Sequence, residues 1–367
     1  MNEDQLILST IEDINAEKNC NYKLEKYTTI KDSERSKVIK LLLSLDNKDI
    51  SLILKIIKQD QTCGFNDYAG AKFISEISNQ NSPRFFYGNP NKKLFIVEDL
   101  ETGINLDVLL KGDNLDKAKD YLIKLSKLSA NIYLISKNKE AEFKQIRSLL
   151  PKSYQYGIDI ESENFSKSII KIKEWFTNQN ININSDFDIQ TEVINEKYRN
   201  LNKCLSFSHG DMAPTNNLIK NQKFYLIDFE YSGYRHMLYD LTAWNVLCQL
   251  PEIIVEEMKK TFYLTIKDLE EITYQDFERE WHLISVWRGL TMLSWFSINI
   301  INENKIWVEQ WTMREAFISA LRRSLASLNK LSDFSEIEKP LEILENKLSK
   351  QWNYQNISTI PKWKVFK

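Results

Sequence analysis

The pattern of apolar and polar positions near the start of the chain predicts a small β-sheet with one helix. Residues 37–45 and 50–57 are rich in Leu, Ile and Val, and the polar residues 46–49 between them predict a turn, so the two runs indicate a β-hairpin. Residues 67–77 space their apolar side chains at helical intervals, and residues 94–97 are a further strand-like run. The first hundred residues are therefore predicted to mix strands and helix.

Helical periodicity dominates the chain after about residue 105. The polar segment 98–103 ends in a glycine and is the predicted hinge. Residues 106–110 and 114–136 then follow a helical pattern with one apolar face. Further helices are predicted within residues 140–200, along most of the chain from about residue 240 to 331, and over residues 334–350.

Short apolar runs return in the middle of the chain, and polar residues come after each of them. Residues 204–208 are a strand-like run that ends at His209. Residues 217–219 form a second run, and a polar turn separates it from a third run, 224–227, which ends at Asp228. We therefore expect a strand, a polar loop and a hairpin whose polar ends converge.

Asp211, Asn216 and Asp228 have the spacing of a phosphoryl-transfer site. The first two lie in the string HGDMAPTN, and Asp228 follows Asp211 by 17 residues in the string LIDFE. We expect Asp211 to orient an acceptor hydroxyl and take its proton late, because phosphoryl transfer depends mainly on positioning and charge neutralisation. Asn216 and Asp228 offer the hard oxygen ligands that Mg²⁺ prefers. Each residue alone would be an ordinary turn or cap residue, so the prediction depends on their joint spacing.

Composition and charge narrow the class of protein. The 367 residues are enough for two lobes, and 49 Lys plus Arg against 51 Asp plus Glu give a net charge of −2, so nothing favours a nucleic-acid partner. No stretch approaches the roughly 18 apolar residues of a membrane span, and the N-terminus lacks the apolar core of a signal peptide. The cysteines are too dispersed for a zinc site or a disulfide framework; they are Cys20, Cys63, Cys204 and Cys248. We expect a cytoplasmic protein, and its oligomeric state stays open.

Together these strings resemble the aminoglycoside phosphotransferase and choline/ethanolamine kinase superfamily, a branch of the protein-kinase-like fold. HGDMAPTN resembles the catalytic loop of that superfamily, and LIDFEYSGYRHMLYDLTAW resembles its metal-binding segment with the helix after it. IVEDL at 96–100 resembles the hinge strand, and LILKII around Lys55 resembles the strand that carries the nucleotide-binding lysine.

The resemblance implies an α+β, two-lobed, protein-kinase-like fold. Residues 1–100 would form a small nucleotide-binding lobe with an antiparallel sheet and one helix. Residues 101–333 would form a larger, mostly helical lobe with the catalytic loop and the acceptor site, followed by a C-terminal helix and tail over 334–367. ATP and Mg²⁺ are the implied cofactors, and the hydroxyl of a small molecule is the implied acceptor.

Lys55 is the predicted phosphate-binding lysine, because its apolar neighbours point to the opposite face of a strand while its own head reaches a phosphate. The plain alternative is an outward lysine on an edge strand. The superfamily places a Glu near the start of the next helix to hold this lysine, and Asp67 occupies that position here. Asp67 is preferred as the partner, and Glu76, about two and a half turns later, is the alternative.

The segment expected to cover the phosphates departs from the superfamily pattern. Residues 28–38 contain no glycine, so a backbone cradle of the Gly-rich type is not expected, and side chains such as those of Ser33, Arg35, Ser36 or Lys37 would touch the phosphates instead. Ser36 is the residue selected from this set. At the hinge, the backbone groups of Glu98 and Leu100 would bind the base, which leaves ATP and GTP indistinguishable.

Several neighbouring residues have weaker assignments. His209 is expected to brace the loop, and Asp240 is expected to anchor it from the next helix. Glu230, Arg235 and His236 would either face the site or lie at the surface. The C-terminal aromatic residues favour core packing over a cage for a cationic acceptor, although Trp287 and Trp295 are predicted to share a helix face. The acids that would serve such a cage are Glu278, Glu280, Glu303 and Glu309.

These features favour a small-molecule kinase, with two alternatives. A protein or peptide kinase needs a long peptide-docking segment, yet Tyr239 follows Asp228 by only 11 residues. A pseudokinase acting as a nucleotide-binding scaffold is favoured by the missing glycines and by Asp67, and is opposed by the intact Asp211, Asn216 and Asp228. The sequence does not identify the acceptor.

Overall fold

The computed structural model describes residues 2–59, 64–78, 81–152, 155–248, 250–308, 311–357 and 363–366. The chain divides into two compact units. The first unit consists of Met1–Ile104, Ala141–Gln155 and Asn216–Ser232, and the second unit consists of Asn105–Glu140, Tyr156–Thr215 and Gly233–Lys367. The predicted domain boundaries at residues 100 and 333 stay a prediction. Two predicted residues, Cys63 and Glu309, lie outside the described residues.

Within the described part of the chain, five strands of the first unit form one antiparallel sheet. The order is β1-β2-β3-β5-β4, and the strands are β1 (Lys23–Asp32), β2 (Ser36–Leu45), β3 (Lys48–Ile57), β4 (Phe85–Asn89) and β5 (Leu94–Glu98). The predicted hairpin is confirmed as β2–β3, with Leu45 paired to Lys48. Asp46 and Asn47 connect these strands with φ of 51° and 61°, the left-handed backbone that a tight hairpin turn needs.

Among the described residues up to residue 100, two helices are present where one was predicted. The predicted helix is α2 (Gly64–Ile77), and the additional helix is α1 (Glu3–Lys18). Asn2 caps α1 through a reciprocal pair of hydrogen bonds with Gln5. The helix buries Ile7, Ile11 and Ile14 in the same apolar cluster as strand residues of β2 and β3. The i, i+4, i+7 spacing of these isoleucines was the signal for this helix.

The hairpin predicted ahead of Asp228 also lies in the first unit. It consists of β8 (Asn217–Lys220) and β9 (Lys223–Leu226), and Asn221 and Gln222 form the turn with φ of 50° and 63°. The Leu226 N–H donates to the carbonyl oxygen of Asn81 at 2.8 Å. Most of α5 (Glu140–Ser148) belongs to the same unit, and β6 (Ile104–Asn105) is the dipeptide at which the chain leaves it.

Helices make up most of the second unit. Its short strands are β7 (Leu205–Ser208), paired antiparallel with β10 (Gly233–His236), and β11 (Ile306–Val308), paired with β12 (Trp311–Thr312). The helices are α3 (Leu106–Leu110), α4 (Leu115–Ser136), α6 (Ile158–Asn178), α7 (Ser185–Arg199), α8 (Tyr239–Val246), α9 (Glu252–Glu270), α10 (Tyr274–Leu293), α11 (Met313–Leu328) and α12 (Ser335–Trp352). The predicted α+β class is confirmed by this arrangement together with the sheet of the first unit. Among the described residues, no helix has the length and apolar character needed to cross a membrane.

Aromatic packing around α10 forms the core of the second unit. The Trp287 ring stacks on Tyr198 at a centroid distance of 4.1 Å and on Phe165 at 5.3 Å. Trp287 is fully buried, whereas Trp295 lies beyond the end of α10 and is 53% exposed. The prediction that these two tryptophans share one helix face is therefore wrong, because the helix ends at Leu293 before it reaches the second one.

Gly70 fixes how closely α2 approaches the segment after Asp228. A Cβ atom at this position would lie 2.6 Å from Phe229 Cβ and 2.5 Å from Ser232 Oγ, closer than van der Waals contact allows. We expect Gly70→Ala to lower the free energy of unfolding by about 1–2 kcal/mol in urea titrations, because overpacking outweighs the gain in helix propensity. Gly103→Ala is the matched control, since its Cβ would meet only Leu218 Cδ2 at 3.5 Å and backbone oxygens at ordinary contact distance. Equal unfolding free energies for both variants would contradict this close packing.

Candidate active site

Lys55 occupies the centre of the sheet of the first unit. On β3 it lies opposite Val38 of β2 and Phe95 of β5, so strands flank it on both sides and the edge-strand alternative is wrong. Its side chain is 17% exposed. The Nζ atom donates to Asp228 Oδ1 at 2.8 Å and to Asp67 Oδ2. One ammonium group therefore holds a carboxylate from α2 and a carboxylate from the end of the β8–β9 hairpin.

Asp67 is the acid that pairs with Lys55. It lies in the first turn of α2, its side chain is 4% exposed, and its second oxygen, Oδ1, accepts a hydrogen bond from the Phe229 N–H at 2.8 Å. Glu76 is 55% exposed and lies 3.9 Å from Lys72 one turn earlier on the same helix. The structure thus pairs Lys55 with Asp67, and the shorter side chain reaches because α2 packs closely against residues 229–232.

Asp228 has a backbone conformation that few residues other than glycine adopt. Its φ of 66° lies in the left-handed region, which is unfavourable for a residue with a Cβ atom. Hydrogen bonds on both sides hold it there: the Ile227 N–H donates to the Asn216 carbonyl at 3.1 Å, and the Phe229 N–H donates to Asp67. The first of these bonds brings the two predicted metal ligands, Asn216 and Asp228, to neighbouring positions of one unit.

The charges around Lys55 leave an excess of negative charge. Burial lowers the pKa of Lys55, but the Asp67 and Asp228 carboxylates outweigh burial and leave that pKa above its ordinary value. Burial raises the pKa of Asp67, Lys55 lowers it, and the nearby Asp228 charge raises it again, with a net rise. Glu230 also has a raised pKa, because it is partly buried and faces the charges of Asp228 and Asp67.

This donor set fits the metal that the sequence predicts. Carboxylate and amide oxygens are the ligands that Mg²⁺ prefers in proteins, and a divalent cation would offset the excess negative charge around Asp228. Among the described residues, no cluster of three or more His, Cys, Asp or Glu side chains could form a metal cage made of protein ligands alone. A metal at this place would take its other ligands from phosphates and water, as Mg²⁺ usually does.

Asp211 lies in the second unit, on a loop that Asp240 organises. The Asp240 carboxylate, in the first turn of α8, accepts hydrogen bonds from the His209 N–H at 2.8 Å, the Gly210 N–H at 2.9 Å and the Ser208 hydroxyl at 3.0 Å. Gly210 has a φ of 82°, so the turn before Asp211 favours a residue without a Cβ atom. The predicted anchoring role of Asp240 is confirmed.

His209 is 1% exposed and contributes to the same loop. The Asp211 N–H points to His209 Nδ1 at 3.4 Å, which is a long hydrogen bond within the turn. This geometry favours the bracing role that the sequence predicts. The pairing of β7 with β10 holds the start of this loop, because Ser208, the last residue of β7, lies opposite Gly233 of β10.

Arg235 and His236 are not surface residues, contrary to one of the two interpretations of the segment after Asp228. Arg235 is fully buried on β10, and its Nε and Nη2 atoms donate to Glu161 Oε1 at 3.1 and 2.9 Å. His236 is 1% exposed, and its Nε2 lies 3.1 Å from Glu280. The acids suggested for a cationic acceptor also have partners: Glu278 binds Lys259, and Glu303 lies 3.1 Å from Lys305.

The segment 98–103 is tied to the sheet through Asp99. The Asp99 carboxylate accepts from Ser51 Oγ at 2.6 Å and the Glu101 N–H at 2.8 Å, and it pairs with Lys40. The Glu98 N–H donates to the Arg84 carbonyl at 2.9 Å, and the Gly103 N–H donates to the Leu100 carbonyl at 3.1 Å. These two hydrogen bonds occupy the N–H group of Glu98 and the carbonyl group of Leu100.

The glycine-free segment 28–38 is the end of a β-hairpin. β1 ends at Asp32, and β2 begins at Ser36, so Ser36 stands at the base of the tip and not at its centre. The Ser36 N–H donates to Ser33 Oγ at 3.1 Å, and Ser36 lines a small cavity together with Lys55 and Asp67. Glu230, to which the sequence assigns no definite role, lines the same cavity and pairs with Arg35 at 3.0 Å.

Comparisons with known proteins show which proteins the chain is similar to. A family model described as choline/ethanolamine kinase matches residues 109–268. The fold is similar to that of a choline/ethanolamine kinase family protein from Mesorhizobium loti, with 12% identity, 92% of this chain and 99% of that chain covered, and a TM-score of 0.50. It is also similar to choline kinase from Cryptosporidium parvum Iowa II, with 13% identity, 95% and 99% coverage, and a TM-score of 0.51.

The resemblance to the aminoglycoside phosphotransferase and choline/ethanolamine kinase superfamily is confirmed. The low identities mean that the two solved structures show the fold, and the protein-kinase-like architecture predicted for the chain is confirmed with it. A sequence comparison with curated proteins finds no match.

Lys55 offers a direct test of the charge balance in the candidate site. Lys55→Met is expected to lower the free energy of unfolding by about 3–5 kcal/mol at neutral pH, because it leaves buried Asp67 without its cation. The folded variant then has an Asp67 pKa raised above the unfolded value. Its stability therefore falls as pH rises through that pKa, and the deficit shrinks toward about pH 4, where Asp67 takes up a proton. Urea unfolding between pH 4 and 7 measures the trend.

Lys72→Met is the control for this variant. Lys72 and Glu76 form a solvent-exposed ion pair on the same helix, with 3.9 Å between Nζ and Oε1. Loss of this pair in Lys72→Met should change the free energy of unfolding by less than about 0.5 kcal/mol between pH 4 and 7. A Lys55→Met variant as stable as Lys72→Met at neutral pH would contradict the assigned pairing.

Proposed function

We propose that the protein transfers the γ-phosphate of ATP, with Mg²⁺, to a hydroxyl group of a small molecule. The observation that carries the proposal is the position of Lys55, which Asp67 and Asp228 hold at the centre of one sheet. A lysine held between two carboxylates contributes little to stability, because all of these charged groups lose hydration when they come together. A lysine that must meet nucleotide phosphates beside a metal accounts for the arrangement.

Each step of the chemistry has a residue in this chain that suits it. Lys55 binds nucleotide phosphate and stays positioned through Asp67. Asn216 and Asp228 hold Mg²⁺, which neutralises phosphate charge during transfer. Asp211 orients the acceptor hydroxyl and accepts its proton as the new O–P bond forms and the bond between the β- and γ-phosphates breaks. ADP is then the second product.

Base recognition is assigned to the backbone of the predicted hinge. The hydrogen bonds already made there use the Glu98 N–H and the Leu100 carbonyl. For an adenine edge we assign the Glu98 carbonyl as acceptor and the Leu100 N–H as donor. A carbonyl acceptor next to an N–H donor matches a base edge that presents a donor next to an acceptor. Because both groups belong to the backbone, no particular side chain is required at residue 98 or 100.

A small acceptor is favoured over a protein substrate by the packing of the residues after Asp228. β10 begins at Gly233, and residues 233–240 are buried except for Asp240, which is half-buried and bound to the catalytic loop. Residues that belong to a packed strand and helix cannot form the extended docking segment that a protein kinase offers to a peptide. This part of the chain therefore supports a kinase for small molecules.

The proposed reaction is tested first by binding and then by turnover. Mg²⁺ with ATP should raise the melting temperature of the protein, and ADP release should then identify acceptors among choline-like amines, aminoglycosides, sugars, nucleosides and peptides. A protein that ATP and Mg²⁺ stabilise but that releases ADP with none of these acceptors would be a binding scaffold instead. A protein that shows no stabilisation would contradict the proposed function altogether.

Asp211 separates catalysis from binding. We expect Asp211→Ala to retain Mg-ATP affinity within about twofold, because its carboxylate is assigned to the acceptor and not to the nucleotide, and to lower kcat by at least about 100-fold. Calorimetric titration and the ADP-release assay measure the two effects. Asp116→Ala, at an exposed acid in the first turn of α4, is the control and should change neither value. Undiminished turnover by Asp211→Ala would overturn its assigned role.

A further inference from the structure

The tip of the β1–β2 hairpin is closed by its own hydrogen bonds. The Ser33 N–H donates to the Ser36 carbonyl at 3.0 Å, the Ser33 hydroxyl donates to the same oxygen at 2.9 Å, and the Lys58 N–H donates to the Arg35 carbonyl at 2.9 Å. A loop of this kind does not present a row of backbone N–H groups to an anion, as a glycine-rich loop does. The N–H groups of Ser33 and Ser36 are already bonded within the tip, which favours side-chain contacts from this tip to phosphates.

Arg35 is the tip side chain best placed for such a contact. Its Nη1 lies 3.0 Å from Glu230 Oε2, and the two side chains are 51% and 15% exposed. Two nearby cations pair with acids that do not line this cavity: Lys37 binds Glu3, and Lys58 binds Asp32. The guanidinium of Arg35 is the cationic group of the tip that lines the same cavity as Lys55, Asp67 and Glu230.

That cavity is too small for a phosphate while Arg35 is bound to Glu230. Its volume is about 10 Å³, roughly the space that one water molecule needs. A phosphate group that reaches Lys55 through this cavity must separate some of the lining groups. The Arg35 side chain is 51% exposed, against 15% for Glu230, 17% for Lys55 and 4% for Asp67, so its guanidinium is the charged group there that can move while the more buried groups stay in place.

We propose that Arg35 is a phosphate-binding residue of the nucleotide site, and that Glu230 holds it across the cavity until the terminal phosphates of a nucleoside triphosphate take its place. This inference rests on the proposed function, since it assigns a residue to the same nucleotide site. A guanidinium forms two parallel hydrogen bonds with phosphate oxygens, so the exchange replaces the contact to Glu230 with a bidentate, charge-assisted one. The Arg35 side chain thereby binds the phosphates that a glycine-rich loop binds through its backbone N–H groups.

Calorimetric titration of the full-length protein with ATP, ADP and adenosine, each with Mg²⁺, tests the proposal. We expect Arg35→Ala to weaken ATP binding by at least about tenfold and ADP binding less, with adenosine affinity unchanged. Arg35→Lys should lose an intermediate amount, because an ammonium keeps the charge without the bidentate geometry. Glu230→Gln should tighten ATP binding several-fold, because it removes the group that competes for Arg35. That gain should vanish in the double variant Arg35→Ala/Glu230→Gln.

Lys31→Ala is the matched control, since Lys31 is an exposed cation on the same hairpin that lies opposite Val38. Equal losses of ATP affinity in Lys31→Ala and Arg35→Ala would show general charge attraction and overturn the specific role. Wild-type ATP affinity in Arg35→Ala would overturn it as well, while leaving the proposed function intact. A wild-type protein that binds no Mg-nucleotide would overturn both the proposed function and this inference.

Discussion

The ammonium group of Lys55 holds together two carboxylates that the chain brings from residues 67 and 228. The sheet supplies the lysine, α2 supplies Asp67, and the β8–β9 hairpin delivers Asp228. Because isolated charges are costly to bury, the nearly buried Asp67 carboxylate depends on the Lys55 ammonium, and the ammonium in turn depends on its carboxylate partners. The packing of Gly70 against Phe229 and Ser232 provides the closeness that the short Asp67 side chain needs.

In each unit, an aspartate carboxylate accepts hydrogen bonds from backbone N–H groups next to a candidate functional residue. In the first unit, the Asp67 carboxylate accepts the N–H group of Phe229, the residue after Asp228. In the second unit, the Asp240 carboxylate accepts the N–H groups of His209 and Gly210, directly before Asp211. Each carboxylate fixes the backbone next to a candidate functional residue, and in each case that backbone includes a left-handed conformation, at Asp228 or at Gly210. At Asp228, which has a Cβ atom, this conformation is strained and persists only where several bonds determine it.

The parts of the fold that depend on local pattern could be predicted from the sequence. The turn residues predict the β2–β3 and β8–β9 hairpins, and periodicity predicts α2 and α4, because these signals lie within a few residues of each other. The polar residues Asp211, Asn216 and Asp228 were selected from their spacing. The sequence analysis does not predict α1, because its polar face outweighs three isoleucines, and it does not predict β1, because the residues of that strand are mostly exposed.

Contacts between distant residues could not be predicted in the same way. The sequence favours Asp67 over Glu76 as the partner of Lys55 only by its position in the superfamily pattern, and the packing of α2 decides for Asp67. The pair of Arg35 and Glu230 joins residues 195 positions apart, and no local pattern connects them. The prediction for Trp295 was wrong for another reason. A spacing of eight residues from Trp287 places two side chains on one face only within a continuous helix, and α10 ends at Leu293.

The most direct test of the proposed site is a crystal structure of the protein with Mg²⁺ and a non-hydrolysable ATP analogue. We expect Lys55 to keep its hydrogen bond to Asp67 and to contact a phosphate oxygen, while an Asp228 oxygen leaves Lys55 and binds Mg²⁺ at about 2.1 Å. A complex in which Asp228 remains bound to Lys55 and neither Asn216 nor Asp228 contacts the metal would contradict the proposed site.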